Sequence, residues 1–260
     1  MFPGAGRMCL IVVAIDLRAD YPLMIAANRD EYFARASAPA AYWPDLPQVL
    51  GGRDLEQGGT WMGITRAGRF AAVTNVRDGG RRAGRKSRGW LVRDFLAGDA
   101  SPEAYLEDVA AERAHYDGFN LIVGSGTRLL HYSNRSDRIT VLGTGVYGVS
   151  NHLLDTPWPK VERAKQAMST LAHASADTLE AGLAHLLADD ARAPDEDLPS
   201  TGVPLEWERV LSSAFIRTAG YGTRASTLIL RAHDGSTLFR ETGFGADGQT
   251  LETRRFVVEA

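Results

Sequence analysis

The run Cys9-Leu-Ile-Val-Val-Ala-Ile15 is apolar at every position, and an unbroken apolar stretch of this length reads as a buried β-strand. A second run, Pro22-Leu-Met-Ile-Ala-Ala27, follows after a few polar residues and ends in four polar side chains, Asn28, Arg29, Asp30 and Glu31. With a turn near residues 18–21 the two runs make an antiparallel hairpin, and the end of the second strand returns to the start of the first. The pattern therefore predicts that the polar tetrad stands beside Cys9.

Cys9 is the only cysteine among 260 residues. In an apolar strand such a residue is ordinarily a small buried side chain. It acquires chemistry if the mature chain begins there, because thiol and free α-amine then share one residue and the amine can serve as base. An α-amine ordinarily titrates at about 7.7–8.0, near the range in which a general base works. On this expectation residues 1–8 are a leader or an extension upstream of the true start, and residues 9–260 form a single domain. Arg29 is the nearest cation able to favour thiolate. Asp30, closer to the backbone than Glu31, is the carboxylate that orients the amine or the thiol proton. Asn75 and Asn151 each follow a strand and are candidate donors to an oxyanion, although asparagine at such a place also commonly opens a turn.

Hydrophobic residues make up 44% of the chain, enough for a substantial core, and the net charge of −3 gives no global field for nucleic acid or an anionic membrane. A single cysteine excludes an intrachain disulfide and fits a reducing compartment. No apolar run approaches the roughly 20 residues of a membrane span, and the stretch after Arg7 is too short for a secretory signal. The expectation is a cytoplasmic protein that does not insert into membranes. The six histidines show no paired ligand spacing, so no metal is expected. Gly148-Val-Ser-Asn151 lacks the second glycine of a serine nucleophile elbow.

Strand signals fall at residues 9–15, 23–27, 60–65, 70–74, 119–123, 129–133, 138–142, 147–149, 226–232, 236–242 and 253–259. Helical signals fall at 89–96 between Ser87 and Gly98, from Ser101-Pro-Glu onward, after Pro157-Trp-Pro159, and at about 177–187. Residues 189–202 read as a mobile surface loop or a lid. Strands, helices and strands again predict an α+β domain, with sheets packed face to face and helices outside.

Further motifs stand in order along the chain: Gly51-Gly-Arg-Asp54, Gly59-Thr-Trp-Met-Gly63, Thr74-Asn-Val-Arg77, Ser87-Arg-Gly89, Phe119-Asn-Leu121, Ser150-Asn151, Pro157-Trp-Pro-Lys160, Ser212-Ser-Ala-Phe-Ile216 and Tyr221-Gly-Thr-Arg224. Together with Met8-Cys9 and Asn28-Arg-Asp-Glu31, they resemble the NRDE family, also called the transport and Golgi organisation protein 2 family, over nearly the full length. The resemblance implies a four-layer αββα sandwich of N-terminal nucleophile (Ntn) hydrolase type, with two mainly antiparallel sheets flanked by helices. Its N-terminal spacing is similar to that of the cholylglycine hydrolase and penicillin V acylase group. By that similarity Cys9 is the nucleophile, Asp30 its carboxylate, and Asn75 and Asn151 the oxyanion amides. In those hydrolases the arginine precedes the aspartate by three residues, whereas here Arg29 is adjacent and Ala27 fills the earlier position.

Asn28, Glu31, Trp61, His152 and Arg224 complete the candidate set as substrate contacts. Trp61 either packs or lines a pocket beside Gly59 and Gly63, and His152 is either a turn residue at a pocket rim or a ligand contact. The implied activity is hydrolysis or acyl transfer on a small amide or acyl substrate through a Cys9 thioester, with no cofactor. The family is also implicated in haem trafficking and acyl-CoA or lipid homeostasis. On that alternative the same pocket binds haem or an acyl lipid, with His152 as an axial ligand and the basic, glycine-rich segment 77–93 holding propionates or phosphates.

Overall fold

The N-terminal hairpin occupies the middle of a six-stranded antiparallel sheet in the computed structural model, which describes residues 8–77 and 86–260. Residues 1–7 of the proposed leader and residues 78–85 of the basic segment lie outside the described residues. Strand β1 (Met8–Ile15) pairs with β2 (Leu23–Tyr32) so that Cys9 stands opposite Arg29 and Ile15 opposite Leu23. The second strand is longer than its apolar run, and the tetrad lies inside it. Strand β11 (Tyr221–Arg231) runs antiparallel along β2, from Tyr221 opposite Tyr32 to Arg231 opposite Leu23. That ladder supplies backbone partners to residues whose side chains are polar. With β10 (Gly145–Val149), β12 (Thr237–Phe244) and β13 (Thr250–Val258), the sheet order is β10-β1-β2-β11-β12-β13.

The second sheet follows chain order: β3 (Ser37–Trp43), β4 (Leu46–Asp54), β5 (Met62–Thr65), β6 (Arg69–Asn75), β7 (Phe119–Ser125), β8 (Arg128–Ser133) and β9 (Arg138–Leu142). Strands β3 and β4 are not signalled in the sequence, because Pro39, Pro44 and Pro47 break the run. Proline is tolerated there for a positional reason. β3 is an edge strand and its register shifts between Ala38 and Ala41, so Pro39 owes no ladder hydrogen bond.

Alternation along the strands sets the layers. Ile11, Val13 and Ile25 face Ile64, Phe70 and Ile122 between the two sheets. Leu10, Val12 and Met24 face Met168 and Leu183 of α3 (Pro159–Leu171) and α4 (Ala176–Leu187). On the far side Val73, Leu121 and Val123 meet Leu91, Phe95 and Leu106 of α1 (Arg88–Ala97) and α2 (Pro102–Ala111). Each such side chain, fully buried, contributes about 1.5–3 kcal/mol. The result is the expected αββα sandwich, helices outside two packed antiparallel sheets.

Residues 189–202 are pinned at several points. Asp189 takes the Arg163 guanidinium at 2.9 Å and, through its carbonyl, the Phe215 N–H at 2.8 Å. The Ala193 N–H donates to Ser212 Oγ at 2.9 Å. A short helix, α5 (Leu205–Leu211), follows; at seven residues it is too brief to show a periodic signal.

Candidate active site

Parity along β1 and β2 divides the site residues. Cys9 falls in line with Ile11 and Val13, toward the space between the sheets, as does Arg29 with Ile25 and Ala27. Asn28 and Asp30 fall in line with Met24 and Ala26, toward α3 and α4. Beside them β11 changes register between Thr223 and Ala225, leaving Arg224 as the bulged residue. Bulges commonly re-aim side chains next to active sites. Here Thr223 lies opposite Asp30, and its Oγ1 donates to Asp30 Oδ1 at 2.6 Å.

Cys9 is 8% exposed and lines a cleft of ≈ 420 Å³, open solvent at its mouth included. Arg29, Asp30, Glu31, Trp61 and Asn75 line the same cleft. The Arg29 guanidinium lies 4.1 Å from the centroid of the Trp61 ring. It also reaches Ser37 Oγ at 3.4 Å and Glu31 Oε2 at 3.8 Å. Glu31 is shared: its Oε1 accepts from the Tyr32 N–H at 2.9 Å, and Arg35 Nε stands 3.6 Å from Oε2. Burial pushes the Cys9 thiol up to about 12, and the Asp30 carboxylate adds to the rise; the Asp30 backbone N–H and Arg29 oppose it.

Burial likewise raises the Asp30 carboxyl to about 6, against the pull of Lys160, the Thr223 hydroxyl and Arg29. Lys160, in the first turn of α3, is pushed down to about 8 by burial, with Asp30 acting in the opposite direction. A further buried carboxyl, Glu241 on β12, accepts the Ala40 N–H at 2.6 Å and is raised to about 7, again chiefly by burial. Lys160, Thr223 and Glu241 are the residues sequence reasoning passed over. One signal was available for Lys160: a cation in the first turn of a helix opposes the macrodipole, so Trp-Pro-Lys at a helix start asks for a carboxylate nearby.

The two asparagines differ in position. Asn75 lines the thiol cleft, whereas Asn151 is fully buried behind it and its Nδ2 donates to the Asn75 carbonyl at 2.9 Å. The Asn151 carbonyl in turn accepts from the Arg77 N–H at 2.7 Å. Ser150 Oγ donates to the Cys9 carbonyl at 2.8 Å, tying the start of β1 to the end of β10. Asn28 serves the helix layer, with Nδ2 donating to the Leu187 and Ala214 carbonyls, both at 2.8 Å. Arg224 braces the end of β2 by donating to the Tyr32 and Arg35 carbonyls. His152 is exposed, its Nδ1 2.8 Å from Thr156 Oγ1. Among the described residues, no three His, Cys, Asp or Glu side chains gather to hold a metal ion.

Gly89 lines the cleft and Gly59 packs against its backbone. A Cβ on Gly59 would stand 2.5 Å from the Gly89 carbonyl carbon, and Thr60 N–H donates to the Gly89 carbonyl at 3.2 Å. Both partners are backbone and cannot swing aside, so Gly59→Ala is expected to destabilise by about 1–3 kcal/mol. Urea unfolding checks it; an unchanged midpoint would mean that α1 retreats freely.

The layers and the cleft define an Ntn-hydrolase fold. The chain belongs to the Transport and Golgi organisation 2 family, whose model matches residues 8–245. It is 38% identical to the Transport and Golgi organization protein 2 homolog of Bos taurus, over 95% of this chain and 97% of that one. It is 31% identical to the Transport and Golgi organization protein 2 of Drosophila melanogaster, over 95% of this chain and 96% of that one. Among solved structures, a mutant of the conjugated bile acid hydrolase from Clostridium perfringens superposes with a TM-score of 0.50. That match has 10% identity and covers 96% of this chain and 92% of that one. At such identity the likeness speaks for fold alone. Among the described residues, no helix is long and apolar enough to cross a membrane.

Proposed function

We propose that this protein is an N-terminal-cysteine amidase or acyl transferase acting on a small amide or acyl substrate through a thioester on Cys9. One observation carries the reading: Cys9 shares its cleft with Arg29 and Asp30 of the adjoining strand and with Asn75 at the end of β6. A conjugated bile acid hydrolase shares this fold, so the fold is one that can carry a hydrolase site.

The reaction runs in two halves. In a chain whose first residue is Cys9, the α-amine takes the thiol proton as sulfur bonds to the substrate carbonyl carbon. The oxyanion meets donors at the Asn75 strand end, and the leaving amine departs with the proton the α-amine held. Water then attacks the thioester, releasing the acid and returning the thiol; an amine in place of water gives acyl transfer. Burial and the Asp30 carboxylate disfavour the thiolate when residue 8 precedes Cys9, and a free α-amine on the same residue supplies a base within reach of the thiol proton.

The test pairs intact mass with an acyl-thioester-forming probe. A chain beginning at Cys9 is expected to label, and Cys9→Ala to lose all labelling. Equal labelling of the two, or a purified active protein whose mass retains residues 1–8, overturns the proposal.

A further inference from the structure

Lys160 stands where a charge brings no structural return. It is 1% exposed, and its Nζ has no hydrogen-bond partner. It belongs to the first turn of α3, where the positive end of the helix dipole disfavours a cation. A buried, unbonded ammonium is one of the least favourable groups that a core can hold, and an apolar side chain of similar length would fill the space at lower cost. Groups of this kind persist chiefly where function requires them.

Its surroundings indicate the use. The charged groups that act on Lys160 are Asp30 from β2, Cys9 from β1, Arg77 from the segment after β6, and Arg163 from its own helix. The two arginines repel it and already have carboxylates: Arg77 Nη1 stands 3.1 Å from Glu208 Oε2, and Arg163 Nε 2.9 Å from Asp189 Oδ2. Asp30 does not have its full set. Thr223 serves Oδ1, while Oδ2 is buried and unbonded. Neither Lys160 Nζ nor Asp30 Oδ2 has a hydrogen-bond partner, so these two opposite groups act on one another through space and not through a direct bond. The same Asp30 carboxylate opposes ionisation of the Cys9 sulfur.

We propose that Lys160 is a positioning residue of the Cys9 site: its ammonium offsets the Asp30 carboxylate and so lets the neighbouring sulfur ionise. The inference rests on, and deepens, the assignment of Cys9 as nucleophile. Asp30 can then stay ionised to orient a proton without blocking the thiolate, because Lys160 on the helix side and Arg29 on the inter-sheet side flank the anion that forms.

The experiment is alkylation of the full-length chain by iodoacetamide across pH 6–10, in which the thiolate displaces iodide to form a thioether. Cys9 is the only cysteine, so the signal is unambiguous, and neither substrate nor turnover is needed. Lys160→Met is expected to slow alkylation about tenfold at pH 7, a shift of about one pH unit, with the gap closing above pH 8 as Lys160 itself loses its proton, while melting no lower than wild type. In an Asp30→Asn background the same substitution is expected to change the rate less than twofold. A wild-type profile in Lys160→Met overturns the proposal, as does an equal slowing with or without Asp30. If Lys160→Met fails to fold, Lys160→Gln is judged on the same terms. A shifted profile in a chain that never labels with the acyl probe retires the hydrolase and leaves the role of Lys160 standing.

Discussion

Replacing Asn28 with alanine is expected to destabilise the fold by about 3–5 kcal/mol, one of the largest effects of any single substitution in the tetrad. Its amide closes three buried hydrogen bonds at once: Nδ2 donates to the Leu187 and Ala214 carbonyls at 2.8 Å each, and Oδ1 accepts from Ser226 Oγ at 2.6 Å. Alanine would leave those partners without water or protein to replace it, at about 1–3 kcal/mol for each unpaired group, less than fully additive. In a chain of this size the loss corresponds to a fall in Tm of roughly 10 °C. Asn28→Asp is expected to be no better, because it turns two donors into acceptors facing carbonyl oxygens. Thermal melting of both variants decides the matter; a loss below about 1 kcal/mol would mean that α4 and the segment after α5 are anchored elsewhere. Asn28 is thus the residue by which β2 holds its helical layer, and its neighbour Arg29, pointing the other way, addresses the thiol cleft.

That division explains what could be read from the chain beforehand. The adjacency of Cys9 and the tetrad was legible because hairpin register follows from two apolar runs and a short turn, and Cys9 does stand opposite Arg29. The alternation of the tetrad was not legible: four polar residues after an apolar run look like a strand end, but β1 pairs as far as Asp30 and β11 as far as Tyr32, and together they carry the strand through them. Asn75 and Asn151 looked equivalent, since each follows a strand. Their difference arises from the packing of two sheets, which brings Asn75 to the cleft and sets Asn151 behind it as a brace. Lys160 and Glu241 were hidden for a related reason. A charged residue on an amphipathic helix or an alternating strand is normally the solvated one; nothing local reveals that Glu241 faces inward, and for Lys160 the only local sign is its place in a helix's first turn.

Glu241→Gln is expected to stabilise the protein by about 3 kcal/mol at pH 7–8 and to have almost no effect near pH 4. The Glu241 carboxyl is raised from an ordinary value of 4.5 to about 7, mainly by burial, against the Ala40 N–H, Arg29 and Arg254. Between those pH values the folded chain keeps a proton that the unfolded chain has lost, so the native state binds more protons and stability falls as pH rises through the window. At 1.36 kcal/mol per pH unit the displacement amounts to about 3 kcal/mol. Glutamine retains the oxygen that accepts the Ala40 N–H at 2.6 Å and removes the ionisation. The gap between variant and wild type should therefore open from about pH 4.5 and level off above 7, which urea midpoints at pH 4.5, 6 and 8 would trace. Asp30, raised to about 6, imposes the same sign over a lower window, so Asp30→Asn should show its own gain, complete by about pH 6. A pH-independent Glu241→Gln effect would mean that Glu241 reaches water. If the dependence has the expected form, the inter-sheet layer carries at neutral pH a carboxylate that destabilises the fold. Arg29 is then the cation that Glu31 at 3.8 Å and Glu241 have in common, and protonating Glu241 frees more of that guanidinium for the sulfur of Cys9.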